Sequence, residues 1–255
     1  MTIDYSKLVK GLVGSKVPKP LSGTLSGHAA GEPFDKMVYA EIKKQYPKNT
    51  FRQYEFLNDL YLRNPHAISL KQKHQLFNSP TVLFLLSRGK TTTSTWSEER
   101  QFEEKQDDTA DILVTDGRFY ELIDVKTKNL SKKALPPNII SSYKLAQMCG
   151  YMIDNKDYGI LNIKYIEIEW LEEDKYLVCK NAHYGDLFKA KPSTLYINWA
   201  AAMQIQFFVS GLDQTFDKSM NEWTHQYLKH FVDSVYRRAK YMVQEYAKPF
   251  EKYLK

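Results

Sequence analysis

The chain has 255 residues, of which 43% are hydrophobic and 14% aromatic. A chain of this length and composition can bury a substantial core, which excludes a disordered protein and favours a single domain over residues 1–255. The 36 Lys and Arg residues exceed the 30 Asp and Glu residues and give a net charge of +6, which suits a polyanionic partner but does not identify one.

The two cysteines and the lengths of the apolar runs indicate in which cellular compartment the protein is expected. Cys149 and Cys179 lack C-x-x-C spacing, so the sequence predicts buried thiols in a reducing compartment rather than a zinc site or a disulfide scaffold. No apolar run approaches the length of a transmembrane helix, and the N-terminus lacks the pattern of a signal peptide. We therefore expect a cytoplasmic protein without a membrane partner.

The first predicted elements are an arm and a helix. Residues 14–31 contain four Gly and two Pro and are expected to form a flexible or partner-ordered N-terminal arm. A helix is predicted to begin near Glu32 and Pro33, because proline suits the first helical turn and apolar residues then recur at helical spacing. It should end before Pro47.

Two further helices are predicted before the middle of the chain. The apolar spacing over residues 51–62 is closer to helical than to strand periodicity. Ser79 and Pro80 form a typical cap and first turn, the apolar run Val82 to Leu86 follows, and Gly89 is a stop signal. This pattern predicts a short buried helix.

A β-hairpin is predicted at the centre of the chain. Residues 110–114 and 119–125 have strand character, and the intervening Asp116-Gly117 is a strong hairpin turn signal. Both strands carry apolar residues on both faces, which is typical of central strands covered by helices. The remaining pattern predicts a helix that is capped by Asn138 and runs to about Ile153. It also predicts three strands, at 163–170, 176–179 and 204–209, the first of which should have one solvated face. A long helix is predicted near the C-terminus, at about 221–247. The predicted fold class is α/β, a central mixed sheet of five or six strands flanked by helices.

Three ionic residues stand on the predicted hairpin. Asp124 and Lys126 share one face of their strand by period-2 geometry, and the turn can bring Asp111 beside them. Two buried carboxylates repel each other, so a hard cation such as Mg²⁺ is a natural compensation, and such a site can support phosphodiester hydrolysis. The alternative is an ordinary salt bridge at the end of a strand.

The pattern resembles the PD-(D/E)-x-K nuclease motif, with Ala110-Asp111 in place of Pro-Asp and Asp124-Val125-Lys126 as the second half. The resemblance extends to the HincII family of type II restriction endonucleases over nearly the whole chain. The segments that carry it are Ser22–Phe34, Leu76–Thr81, Leu83–Lys90, Pro137–Ser141 and Leu195–Phe207.

This resemblance implies a restriction-endonuclease-like fold and a homodimer that cuts both strands of a palindrome, GTYRAC or a close variant, with Mg²⁺. It implies blunt ends with 5′-phosphates and a cognate DNA methyltransferase in the same system. Asp111 and Asp124 would bind metal together with the Val125 carbonyl, Lys126 would lie beside the attacking water, and Thr127 would support them. Two alternatives remain open, namely a repair or junction nuclease with the same motif and a catalytically idle DNA-binding protein.

The resemblance also implies a set of residues that contact DNA. Asparagine can pair bidentately with adenine, so Asn138 and Asn198 suit base recognition, although Asn138 could instead only cap its helix and Tyr196 could only pack. Leu135 stands where the family carries a glutamine that wedges between bases, and an apolar side chain can also unstack a base step. The full set of expected DNA contacts is Tyr196, Asn198, Asn138, Ala134, Leu135, Gln106 and Lys90.

Two residues near the predicted arm are accessory candidates. His28 could touch phosphate or approach the active site, but it could also be a solvated loop residue. Glu32 could add a carboxylate to the metal site, or it could simply favour the start of its helix through the helix dipole.

Overall fold

The computed structural model describes residues 3–20, 28–63, 70–87, 101–104 and 108–254. Its α-helices are α1 Tyr5–Leu12, α2 His28–Gln45, α3 Gln53–Arg63, α4 Leu70–Phe77, α5 Pro80–Leu86, α6 Ser142–Asn155, α7 Met220–Met242 and α8 Lys248–Glu251. Its strands are β1 Lys16–Pro18, β2 Thr50–Phe51, β3 Ile112–Thr115, β4 Tyr120–Asn129, β5 Asn138–Ser141, β6 Leu161–Glu173, β7 Tyr176–Asp186, β8 Tyr196–Asn198 and β9 Gln204–Gln206.

The described strands form two sheets. The main sheet has six strands in the order β1-β7-β6-β4-β3-β2, in which β4 and β6 are parallel and the other neighbours are antiparallel. A small sheet has three antiparallel strands in the order β5-β9-β8. The predicted mixed sheet is therefore confirmed, and the small sheet is a second unit that the sequence did not predict.

Hydrophobic clusters cover both faces of the main sheet. On one face, Phe34 and Val38 of α2 pack with Ile123 of β4. On the other face, residues of α5, α6, α7 and the small sheet pack with Leu122 of β4 and Ile163 of β6. Covering both faces explains why the central strands are apolar on both sides, and it confirms the flanking helices.

The central hairpin forms where its turn chemistry predicts it. Gly117 adopts a φ of 85°, a left-handed conformation that favours glycine, and Asp116 Oδ1 accepts hydrogen bonds from the backbone N–H groups of Arg118 and Phe119, both at 2.9 Å. Strand β4 continues beyond the hairpin and pairs with β6 from Tyr120 to Asn129. This extension places the C-terminal half of β4 at the edge of the main sheet's apolar core.

Several predicted elements differ in detail. Asn138 does not cap a helix but begins β5, and α6 starts at Ser142 with the Ser141 side chain accepting from Lys144 N. The predicted solvated face of β6 is wrong, because Glu167 and Glu169 are buried and hydrogen-bonded. The strand predicted at 204–209 is shorter and belongs to the small sheet.

The ends of the chain also differ from expectation. Helix α2 begins at His28, one turn earlier than predicted, and β1 lies within the predicted arm, of which residues 21–27 fall outside the description. The C-terminal helix is confirmed by α7, whose Ser219 and Glu222 form a capping box, with a π-helical turn and α8 continuing past it. Among the described residues, no helix has the length and apolar character needed to cross a membrane.

Candidate active site

Asp111 and Asp124 face each other across the central hairpin. Ile112 pairs with Ile123, so Asp111 lies opposite Asp124 one position beyond the last ladder pair. Asp111 Oδ2 accepts a hydrogen bond from the backbone N–H of Val125 at 2.7 Å. Burial raises the pKa of Asp111 to about 7, with a further contribution from the negative charge of Asp124.

Lys126 completes the group. It follows Asp124 on the same face of β4, and its Nζ lies 2.8 Å from Asp124 Oδ2. Burial alone would lower the pKa of Lys126, but the attraction of Asp124 and of Asp111 outweighs it, and the pKa is raised. The three residues that the sequence brought together as catalytic candidates thus form one contiguous ionic group, with Lys126 held as an ammonium.

Arg52 fixes the backbone of Asp111. Its Nη1 atom donates to the Asp111 carbonyl oxygen at 3.0 Å and to Asp35 Oδ1 on α2 at 2.8 Å. The guanidinium also stacks on Tyr39, 4.3 Å from the ring centroid. These contacts tie the segment that carries Asp111 to α2, and Arg52 is a residue that the sequence analysis did not single out.

The Asp111–Asp124 pair fits a divalent cation by its chemistry. Two carboxylates on adjacent strands supply the hard oxygen donors that Mg²⁺ or Ca²⁺ prefers. Burial, and then repulsion from Asp124, raise the pKa of Asp111, and a bound cation would offset both effects. Over the described ranges, no three or more His, Cys, Asp or Glu side chains group into a metal site. Two carboxylates alone would leave coordination positions for phosphate and water oxygens.

The accessory candidates lie near the start of α2. A Cβ atom added to Gly31 would lie 3.7 Å from Thr127 Oγ1, so α2 begins close to Thr127. Glu32 is exposed and pairs with Lys36 at 2.6 Å, outside any described group with Asp111 and Asp124. His28 is the first residue of α2, and its side chain falls outside the description.

The predicted base readers share the exposed face of the small sheet. Tyr196 is 62% exposed, Asn138 is exposed, and Asn198 is partly buried. Gln206 on β9 pairs in register with both Asn138 and Tyr196 and was missed by the sequence analysis. Gln206 follows the buried Ile205 on β9, and this alternation is the local signal that places Gln206 on the outer face of the small sheet.

The loop before the small sheet carries the other expected contacts. Leu135 is 83% exposed, and Ala134 lies beside it in the connection from β4 to β5. Lys90 and Gln106, the expected contacts from earlier in the chain, lie outside the described residues.

Glu167 joins the two sheets. It pairs with Lys126 in the parallel register of β4 and β6, yet its carboxylate accepts from Val209 N and Ser210 Oγ, both at 2.8 Å. Val209 and Ser210 follow β9 closely along the chain. A buried carboxylate one strand from Lys126 therefore anchors the end of the small sheet.

Comparison with known proteins agrees with this geometry. A family model described as restriction endonuclease HincII matches residues 8–254. The chain is 55% identical over 250 residues to the type II restriction enzyme HindII of Haemophilus influenzae (strain ATCC 51907 / DSM 11121 / KW20 / Rd) and 54% identical over 250 residues to the type II restriction enzyme HincII of Haemophilus influenzae. Each match covers 98% of this chain and 97% of the relative. Among solved structures, the NlaIV restriction endonuclease aligns with a TM-score of 0.39 at 11% identity, covering 98% of this chain and 85% of that one.

These matches define the chain as a type II restriction endonuclease, a site-specific deoxyribonuclease. More narrowly, the chain belongs to the HincII family of restriction endonucleases. The family resemblance expected from the sequence is confirmed, and it favours a restriction enzyme over the repair or junction nuclease that the motif alone left open.

Proposed function

We propose that the chain hydrolyses both strands of a short palindromic duplex with Mg²⁺, and that Asp111, Asp124 and Lys126 form the catalytic centre. The observation that supports this proposal is the facing pair of carboxylates with Lys126 Nζ 2.8 Å from Asp124. An idle DNA-binding protein would not need to keep two repelling carboxylates, one buried and one half-buried, beside a half-buried ammonium.

The proposed chemistry divides between the cation and the chain. Mg²⁺ held by Asp111, Asp124 and the Val125 carbonyl would polarise a phosphate oxygen and make water a better nucleophile. Lys126 stabilises negative charge that develops on the phosphate and orients the attacking water through its remaining N–H donors. Water loses a proton to solvent as it attacks phosphorus, the bond to the 3′-oxygen breaks, and the leaving 3′-oxygen takes a proton from a second water. The phosphate stays on the 5′ end. Thr127, on the face of β4 opposite Lys126, would be an accessory residue, as would Glu32 and His28 at the start of α2.

DNA recognition is proposed for the small sheet and its preceding loop. Tyr196, Asn198 and Asn138 would face the base edges, with Ala134 and Leu135 approaching the centre of the site. The family resemblance suggests GTYRAC or a close variant, cut bluntly at its centre. Because leucine lacks the hydrogen bonds of the family's glutamine, the degenerate central step is where we expect altered preference. Lys90 and Gln106 are proposed to contact the DNA backbone.

The proposed partners follow from the symmetry of the substrate. A palindromic site has a two-fold axis, so two copies of the chain related by the same axis would place one active site on each strand. We propose a homodimer for this reason. A restriction enzyme threatens the DNA of its own cell, so a cognate DNA methyltransferase and a cytoplasmic location are also proposed.

The experiment that tests this function is a map of cut sites on a sequenced plasmid incubated with Mg²⁺. The proposal predicts discrete fragments that all end at the centre of one short palindrome. Nicking directed to branched or damaged structures would instead indicate a repair or junction nuclease. Absence of any Mg²⁺-dependent cleavage across varied genomic DNA would indicate a catalytically idle protein.

A further inference from the structure

We infer that Gln206 is a positioning residue for DNA sequence recognition, which fixes how the side-chain amides of Asn138 and Asn198 are oriented. The inference rests on the proposed function, because it assigns a role within the surface proposed to face the bases. Gln206 ends β9, the central strand of the small sheet, and it lies between the two asparagines.

A β-bulge in β5 brings Asn138 to this position. Ile140 pairs with Ile205, but Gln206 pairs with Asn138 rather than with Ile139. The extra residue lets Ile139 and Ile140 both lie in the core, whereas Asn138 remains exposed beside Gln206. Bulges re-aim side chains in this way next to functional sites.

A chain of hydrogen bonds links the three amides across the small sheet. Asn198 Nδ2 donates to Gln206 Oε1 at 2.8 Å, and Gln206 Nε2 donates to Asn138 Oδ1 at 2.8 Å. The chain starts at the backbone, because Asn198 Oδ1 accepts from Ala200 N at 3.0 Å and from Ala201 N at 3.3 Å. All these bonds run in one direction, so turning any single amide over would place like atoms against each other.

The direction of these hydrogen bonds determines which side-chain atoms of Asn138 and Asn198 are left to contact DNA. Asn198 has both acceptor positions of its carbonyl in use, so it can offer only its remaining N–H. Asn138 keeps two N–H donors and one acceptor position. Bidentate pairing with adenine needs one donor and one acceptor, so Asn138 suits adenine, whereas Asn198 suits acceptors such as purine N7, guanine O6 or thymine O4. Gln206 passes the orientation set at Asn198 on to Asn138, so the two asparagines present different atoms to the bases.

The substitution Gln206→Met tests this role, because methionine keeps the length of the side chain and removes both hydrogen bonds that the Gln206 amide makes to the asparagines. Wild type and variant are incubated with Mg²⁺ and a library of duplexes whose central six base pairs are randomised, and relative cleavage rates are read by sequencing. We expect the variant to lose about 10-fold in discrimination at base pairs contacted by the asparagines. Gln204→Met is the matched control, since Gln204 lies on the same strand and face but outside the chain of amides, and it should leave the preferences unchanged.

Two further variants separate positioning from a general loss of structure. Gln206→Glu keeps the acceptor for Asn198 but removes the donor to Asn138, so the preference for adenine should weaken selectively. In an Asn138→Ala background, Gln206→Met should cause no further loss at that same base pair, because its effect acts through Asn138. Circular dichroism and thermal unfolding confirm that each variant is folded.

The outcomes distinguish the inference from the function on which it rests. If wild type cuts one palindrome and folded Gln206→Met and Gln206→Glu keep the wild-type preferences, the positioning role is overturned while the proposed function stands. If wild type itself cuts no member of the library, or all members equally, the proposed function fails before the variants are compared.

Discussion

Asp111 and Asp124 lie opposite each other on the central hairpin, one residue beyond its last ladder pair, and only Asp124 contacts Lys126 directly. The two carboxylates are therefore unequal. Asp124 is neutralised by the adjacent ammonium, whereas Asp111 is left with a backbone N–H and a pKa raised to about 7 by burial and by Asp124. This inequality is what a divalent cation would remove.

The first prediction concerns metal binding. Mg²⁺ should raise the melting temperature of the wild type, because a ligand that binds only the folded state stabilises it, by about 1.4 kcal/mol at a tenfold excess over its Kd. Asp111→Asn and Asp124→Asn should each weaken this shift. Glu173→Gln, which removes an exposed carboxylate paired with Lys180, is the control and should respond to Mg²⁺ as the wild type does. An equal Mg²⁺ shift in all four proteins would contradict a metal site at the hairpin.

The second prediction concerns the link between the sheets. Glu167→Ala leaves the buried N–H of Val209 without its acceptor and should lower the free energy of unfolding by about 3 kcal/mol, measured by chemical denaturation. Glu167→Gln keeps one oxygen acceptor and should cost less. Glu172→Ala on the same strand removes a partly exposed ion pair with Lys19 and should cost less than about 1 kcal/mol. Equal costs for Glu167→Ala and Glu172→Ala would show that Glu167 does not anchor the small sheet.

The third prediction concerns pH. Burial, with a contribution from Asp186, raises the pKa of Glu121, although a hydrogen bond from Tyr5 at 2.7 Å and the charge of Lys164 oppose the shift. Because the pKa of Glu121 is higher in the folded state than in the unfolded state, the folded state binds this proton more tightly. The resulting contribution to stability is complete below the unfolded-state pKa of about 4.3 and is lost as the pH rises through the folded-state pKa. Glu121→Gln should therefore gain stability relative to the wild type as the pH rises from acidic to neutral, as followed by melting temperature.

An exposed carboxylate gives the opposite control. The hydrogen bond from Lys180 lowers the pKa of Glu173, so its contribution is present above the unfolded pKa and is lost as the pH falls. Glu173→Gln should consequently show no gain at neutral pH. A flat difference between Glu121→Gln and the wild type across this range would show that Glu121 does not titrate as described.

Local chemistry explains what the sequence could predict. The Asp116-Gly117 turn fixes the hairpin register within a few residues, and that register alone sets Asp111 against Asp124. Ser79 likewise caps α5 through a bond to Val82 N three residues away. The grouping of Asp111, Asp124 and Lys126 could be predicted because its geometry depends on neighbours that are close in sequence.

Distant contacts explain what the sequence could not predict. Asn138 accepts a hydrogen bond from Gln206, which is 68 residues away. The bulge also buries the consecutive residues Ile139 and Ile140, so this segment lacks the alternation that is typical of a strand. Glu167 belongs to an alternating strand pattern, yet it is buried, and its carboxylate is bound by the turn that begins at Val209. Neither the Asn138–Gln206 contact nor the Glu167–Val209 contact is indicated by the residues next to it in sequence, so the sequence did not predict the small sheet or its attachment to Glu167.

The most direct test of the central claim compares cleavage and binding in Lys126→Met and Asp124→Asn. Cleavage of the mapped plasmid site is timed with Mg²⁺, and binding to a duplex that carries the site is measured with Ca²⁺. The proposed role predicts a loss of at least about 10²-fold in cleavage rate with largely retained binding. Lys180→Met, which removes a half-buried lysine remote in sequence from the hairpin, should cleave normally. Cleavage by both variants at the wild-type rate would contradict the assignment of Asp111, Asp124 and Lys126 as the catalytic centre.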